Sequence, residues 1–162
     1  MNSFTELLLW LENSTWAISI KKSLWLYPFI EIIHIIGILF VAGAAILFDF
    51  RLLGLSKRGT VIDAAKNLLP WSLRGLILVI PSGILLFSTN AQTLAHDIAF
   101  QLKLTLLALA GVNALIFRAV VYKDWLKLHN EPKRIPTIAK LNGIVSMVLW
   151  ISIIACGRLL AY

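Results

Sequence analysis

The sequence predicts an all-α membrane protein, a single-domain bundle of four transmembrane helices preceded by a short amphipathic helix in the membrane interface. The 162-residue chain is 59% hydrophobic and 14% charged, with a mean hydropathy of +0.85. Soluble domains carry about 25% charged residues. Four apolar runs approach the ~20 residues that cross a bilayer core. Backbone groups find no water in hydrocarbon, so such runs must be helical.

The elements follow one another along the chain. Residues 1–22 hold an apolar stretch around Leu7–Leu11 that is broken by a polar turn at residues 13–15, which predicts the interfacial helix. Two acidic residues, Glu6 and Glu12, and a start without basic residues argue against a cleavable signal peptide. The predicted spans cover about residues 27–48, 69–87, 98–121 and 138–160.

Basic residues are concentrated in two of the three loops between spans. These residues are Arg51, Lys57, Arg58 and Lys66 in the first loop, and Lys123, Lys127, Lys133, Arg134 and Lys140 in the last. The middle loop, STNAQTLAHD, has neither lysine nor arginine. The positive-inside rule therefore predicts that both basic loops are cytoplasmic and that both termini lie on the outer side of the membrane. The net charge of +7 reflects this topology, and nucleic-acid binding is not expected.

Four ionisable residues from three of the predicted spans lie at about one depth. At 1.5 Å per residue, His34 lies roughly 10 Å and Lys103 roughly 7 Å inside the outer boundary of its span. Glu31 is one turn outward of His34, and Arg158 is near the outer end of the fourth span. An unpartnered charge costs about 2.5–3.5 kcal/mol at mid-bilayer, so either mutual pairing or a bound cofactor is expected here.

Structural roles are open for each of these residues. Arg158 can extend its guanidinium outward to the interface. Glu31 can pair with Lys103 or Arg158 as an interhelical contact. His34 can serve as an interhelical hydrogen-bond donor without any ligand.

The surroundings of His34 favour a haem site. Gly37 follows it by one helical turn, and Pro81 and Gly83 of the IPSGI segment lie at a similar depth, so the surface near the imidazole is cleared of side chains. Imidazole ligates haem iron, the glycines would admit the ring, and Lys103 or Arg158 would neutralise its propionates. No Cys-x-x-Cys-His sequence is present, so the haem would be non-covalent haem b.

Other metal centres are less consistent with the composition. Zinc or copper needs several nearby His, Cys or carboxylate ligands, whereas the chain has three histidines and one cysteine. His129 falls in the basic connection. His96, just ahead of the third span, is either a second axial ligand on a loop that folds inward or an interfacial loop residue.

Several motifs resemble a family of four-span bacterial membrane proteins of unknown function, over nearly the whole chain. They are KSLWLYPFIEIIHIIG, DFRLLG, LLPW, SGILLF, FQLKLTLLALAGVNAL and the terminal GRLLAY. More distantly, the surroundings of His34 and Lys103 resemble the HemJ-type protoporphyrinogen oxidases, and the helix with Lys103 is similar to one in the copper-resistance protein D family. The HemJ resemblance implies a haem b that depends on such a histidine and lysine.

Two classes of function remain open. In the first, the chain is a haem b protein of the lipid bilayer that transfers electrons, with quinone or another redox partner, or senses a gas; an enzyme of this kind would be an oxidoreductase. In the second, it is a cofactor-free transport, chaperone or assembly subunit with a buried charge network. Four short helices enclose a haem thinly, so a homodimer could complete the site.

Overall fold

The computed structural model describes residues 3–55, 60–122 and 135–159. Within these ranges the chain is all-α and has no β-strand. The helices are α1 (Ser3–Glu12), α2 (Thr15–Lys22), α3 (Leu26–Leu52), α4 (Val61–Thr89), α5 (Ala91–His96), α6 (Ile98–Ile116) and α7 (Thr137–Leu159), with a π-helical segment (Phe117–Tyr122) after α6. The basic residues Lys57, Arg58, Lys123, Lys127, Lys133 and Arg134, together with His129 and the last three residues of GRLLAY, lie outside the described residues.

Four helices, α3, α4, α6 and α7, are long and apolar enough to cross a membrane, which confirms the predicted all-α membrane bundle. Their outward faces carry large exposed apolar side chains such as Leu39, Ile77 and Leu104. Water would penalise this exposure and lipid does not. Helix α4 runs antiparallel to α3, and α7 runs antiparallel to α6, so α3 and α6 begin at the end where α4 and α7 finish. We name the two ends of the bundle after His34 and Asp49.

Helix α4 begins at Val61, eight residues before the predicted span, because its first turns are fixed by a cap rather than by hydrophobicity. The Thr60 hydroxyl accepts a hydrogen bond from the Asp63 amide at 3.0 Å, and the Asp63 carboxylate accepts one from the Thr60 amide at 3.2 Å. This reciprocal capping box satisfies two amides that a helix start leaves unpaired. Pro70 and Pro81 lie inside α4 without ending it.

The N-terminal segment forms two helices rather than the single interfacial helix that the sequence predicts. Ser14 ends the first and caps the second: its hydroxyl donates to the Leu11 carbonyl at 2.6 Å and accepts from the Ala17 amide at 3.4 Å. A serine in this position satisfies groups at both helix ends. Helices α1 and α2 pack against α4 at the His34 end. The Phe4, Leu7 and Trp10 side chains of α1 remain exposed there.

Glu12 fastens α1 to its neighbours. Its Oε1 accepts from Nζ of Lys21 at 2.9 Å, and its Oε2 accepts from the Gln92 amide at 3.2 Å. These contacts join α1 to α2 and to α5. The hydrogen bond from Lys21, and then that from the Gln92 amide, lower the pKa of the Glu12 carboxyl below its ordinary value.

The stability that Glu12 supplies is therefore expected to disappear in acid. A carboxyl group whose folded pKa is lowered stabilises the protein above its unfolded pKa and loses that effect as the pH falls through the folded pKa. We expect Glu12→Gln to cost about 0.2–1 kcal/mol at neutral pH, as partly exposed pairs do, and nothing in acid. Thermal unfolding of both proteins across the acidic range measures this. A stability difference that did not shrink on acidification would contradict the assignment.

Two helix pairs form the bundle, α3 with α4 and α6 with α7, and α3 also packs on α7. Aromatic rings connect the two ends of the α6 segment to the first pair. Phe100 stacks on Phe87 with ring centroids 5.3 Å apart, and Phe117 meets Phe48 edge-on at 5.1 Å. A cluster of buried apolar residues lies at the Asp49 end and consists of Phe48, Leu52, Val61, Ala65, Phe117 and Ala139.

Candidate functional site

His34 bridges α3 and α4 through a side-chain hydrogen bond. Its Nδ1 lies 2.9 Å from Oγ of Ser82, and the imidazole is half-buried while the serine is buried. The Ser82 hydroxyl also bonds to the Leu78 carbonyl one turn earlier in its own helix. The three groups form a continuous chain of hydrogen bonds from α3 into the backbone of α4.

This chain determines which nitrogen of His34 carries the proton. A hydroxyl has one hydrogen to donate, and Ser82 gives its hydrogen to the Leu78 carbonyl. With that hydrogen directed to the carbonyl, Oγ is left as an acceptor for Nδ1 of His34, and we therefore assign the ring proton to Nδ1. A neutral imidazole with a protonated Nδ1 presents the lone pair of Nε2. The arrangement is the one that metal-binding histidines use, where the second nitrogen donates to a nearby acceptor.

Gly83 and Gly37 were expected to leave room for a haem ring, but each makes room for another part of the protein. A Cβ atom at Gly83 would lie 3.1 Å from Cε1 of His34, so this glycine makes room for the imidazole itself. A Cβ atom at Gly37 would lie 2.7 Å from Cγ2 of Val79 on α4. The surface beside Gly37 is thus filled by α4. A ring plane over Gly37 does not fit this packing, and any macrocycle must lie on the Nε2 side of His34.

Lys103 approaches the site from α6. It is only half-exposed, its Nζ would be 3.8 Å from a Cβ atom at Gly157 of α7, and its positive charge acts on the His34 imidazole. The absence of a side chain at Gly157 leaves space for the ammonium group at the junction of α6 and α7. Two of the predicted site residues, His34 and Lys103, are therefore brought to one region from two different helices, α3 and α6.

Three other predicted site residues are placed differently. His96 is exposed on α5, and its Nδ1 lies 2.8 Å from the Gln92 carbonyl of the same helix, so its ring is not directed into the bundle. Glu31 is exposed one turn before His34, and no ion pair joins it to Lys103 in the described part of the chain. Arg158 is exposed near the end of α7.

The inner face of α6 is incompletely covered. Along this face Lys103, Leu106 and Asn113 are each half-exposed, because α6 packs along α7 and meets the α3–α4 pair mainly through rings at its two ends. The described residues hold no group of three or more His, Cys, Asp or Glu side chains that could share a metal ion. A metal centre at this face would accordingly depend on one protein side chain and a cofactor's own ligands.

Ser82 is the site residue that sequence patterns missed. The sequence places it between Pro81 and Gly83, where it reads as a small packing residue. Its hydrogen bond to His34 depends on the rotation of α4 relative to α3, which the residue spacing within one helix does not contain. A serine at the depth of a membrane histidine was the available signal.

Comparison with known proteins places the chain in a family without an assigned activity. The pattern of a family of unknown function, DUF6644, matches residues 8–162. No curated protein and no solved structure matches the chain. The match confirms the resemblance to an uncharacterised family, and none of these comparisons supports the distant one to the HemJ-type or copper-resistance protein D families.

Proposed function

The chain belongs to DUF6644, a family of unknown function, and we propose from its own site that it is a membrane-embedded haem b protein for electron transfer. The observation that carries the proposal is the hydrogen bond between Nδ1 of His34 and Oγ of Ser82, at 2.9 Å; with Nδ1 as the donor, Nε2 is left as a ligand. Two features support a haem here: the imidazole is held by a second helix, and the neighbouring inner face of α6 is incompletely covered.

Each residue of the site has a defined task in this proposal. His34 supplies the axial nitrogen, and Ser82 fixes its tautomer and orientation. Lys103 supplies a cation for a propionate, which offsets the cost of placing this lysine within a span. A bound haem would supply one-electron redox chemistry. A membrane quinone is a suitable partner, because the haem and the quinone would both lie within the bilayer.

Absorption spectroscopy tests the proposal. Protein expressed with ample haem and purified gently in detergent should show a Soret band and reversible reduction. Colourless protein would contradict the proposal, and a cofactor-free transport or assembly function would then take precedence. The observation that favours this second function is the half-buried Lys103. Without a haem propionate as its partner, the free-energy cost of placing this lysine within a span needs another explanation.

Replacing Ser82 should weaken the site without removing it. Ser82→Ala deletes the acceptor of the Nδ1 proton, and loss of such partners costs about 10–100-fold in metal affinity. Haem titration of the purified protein measures the change. Ser88→Ala is the matched control, because Ser88 is also buried on α4 and bonds to a carbonyl of its own helix, that of Leu85. Equal affinities of the two variants would contradict the role of Ser82.

The proposal includes a bacterial inner membrane with both termini in the periplasm. Two exposed positions report on it: Thr93 on α5 and Lys66 on α4. In a Cys156→Ser background, Thr93→Cys should react with a membrane-impermeant maleimide in cells whose outer membrane alone is permeable. Lys66→Cys should react only after the inner membrane is opened. The reverse pattern would contradict the orientation.

A further inference from the structure

A second ionisable residue is buried at the other end of the bundle, where the proposed haem site has no use for it. Asp49 lies in the last turn of α3 with 3% of its surface exposed. Gly143 of α7 lies against it: a Cβ atom there would be 3.3 Å from Cβ of Leu52 and 3.6 Å from the Asp49 carbonyl oxygen. This close approach of α3 and α7 shuts the Asp49 carboxyl group inside the bundle.

The carboxyl group has too few hydrogen-bond donors for an anion. Ser146 of α7 is the side-chain neighbour of this carboxyl group, and Oδ2 of Asp49 is buried without a hydrogen-bond partner among the described residues. An ionised carboxylate offers about four acceptor positions. Burying a charge without matching donors is among the most unfavourable events in a protein interior. The geometry around Oδ2 therefore suits a neutral group.

Two neighbouring polar side chains, Asn113 of α6 and Asn142 of α7, take part in hydrogen bonds with each other's residue. Nδ2 of Asn142 donates to the Asn113 carbonyl at 3.1 Å and to its Oδ1 at 2.8 Å, while Nδ2 of Asn113 donates to the Asn142 carbonyl at 3.2 Å. Both side-chain amides are thus engaged between α6 and α7. They do not supply the donor that Oδ2 of Asp49 lacks.

Within residues 3–55, 60–122 and 135–159, the charged groups near this end do not offset a negative charge at Asp49 either. On the elements packed around it these groups are Arg51, Asp63, Lys66, Arg118 and Lys140. All except Arg51 are exposed, and Arg51 acts on the carboxylate of Asp63.

We infer that Asp49 is a proton-binding site, whose carboxyl group takes a proton from water as the bundle folds and holds it at neutral pH. Protonation removes the charge and turns one oxygen into a donor, which repairs the mismatch at Oδ2. The inference is independent of the haem, since the site lies at the opposite end of the bundle. It gives the membrane domain one exchangeable proton whose release requires α3 and α7 to separate or a cation to enter.

Infrared spectroscopy of the purified protein in lipid tests this directly. At neutral pH the wild-type spectrum minus that of Asp49→Asn should contain the carbonyl band of a protonated carboxylic acid, shifted to lower frequency in heavy water. The band should persist in Asp63→Asn, whose carboxylate is exposed at the same end. Ser146→Ala should shift its frequency, because the neighbouring hydroxyl is lost.

Two results would overturn the inference. The first is carboxylate bands in place of the carbonyl band in the difference spectrum at neutral pH, including bands that respond to sodium, which would make Asp49 a metal-cation site. The second applies if Asp49→Asn does not fold, so that the wild type is compared with Ser146→Ala instead. A carboxylic-acid band at the same frequency in both proteins would show that the proton is held elsewhere.

Discussion

His34→Ala is expected to abolish haem binding while the helical bundle remains folded. Removing the ligand itself should reduce affinity by more than the about 10–100-fold that loss of an outer hydrogen-bond partner costs. The fold should survive, because an interhelical hydrogen bond in a membrane contributes on average about 0.6 kcal/mol. Soret absorbance per chain, together with circular dichroism, measures both effects.

His96→Ala is the matched control for this experiment. His96 is an exposed histidine bonded within its own short helix, and its removal should leave the Soret band in place. Haem binding that survived in His34→Ala and disappeared in His96→Ala would transfer the ligand to α5. Loss of helical content in His34→Ala would make the residue structural, and the affinity of Ser82→Ala would then decide between the two roles.

Gly75→Ala is expected to give the largest loss of stability among the conservative changes in the chain. Its Cβ atom would lie 2.7 Å from Cγ2 of Val41, 2.8 Å from the Gly37 carbonyl oxygen and 2.9 Å from Cβ of Phe40. The carbonyl belongs to the backbone of α3 and cannot rotate away, so the two helices must separate. Overpacking of this kind costs about 1–3 kcal/mol, and this outweighs the helix-propensity gain of at most about 1 kcal/mol.

Gly43→Ala provides the comparison for Gly75→Ala. A Cβ atom at Gly43 has no neighbour within 4 Å, so only the propensity gain remains and the variant should be as stable as the wild type or more so. Thermal unfolding in one detergent measures both variants. If Gly75→Ala unfolded at or above the temperature of Gly43→Ala, the close contact between α3 and α4 would be contradicted.

The transmembrane helices could be predicted because hydrocarbon imposes one requirement on every residue of a span. Four helices that are long and apolar enough to cross a membrane lie where the sequence predicts the spans. The helix ends could not be predicted from hydropathy, since the capping box at Thr60 and Asp63 starts α4 in a polar segment. The break at Ser14 was visible in the sequence, but the stability of two successive helices depends on their contacts with α4 and α5.

The candidate site could be predicted only in part. Depth along a helix is readable from sequence, which is why His34 and Lys103 were both expected at one level. Rotation about the helix axis is set by packing, and this placed Gly37 against α4 and Ser82 against the imidazole. The burial of Asp49 could not be predicted from the sequence either, because a carboxylate near Arg51 at the end of a span has the pattern of an ordinary interfacial residue.

The most direct test of the central claim is the position of iron in the haem-loaded protein. Crystals grown in lipid and measured at the iron absorption edge should give an anomalous-difference peak at bonding distance from Nε2 of His34, with Nδ1 still directed to Ser82. An iron peak beside any other side chain, or haem-loaded crystals in which His34 makes no bond to iron, would contradict the account.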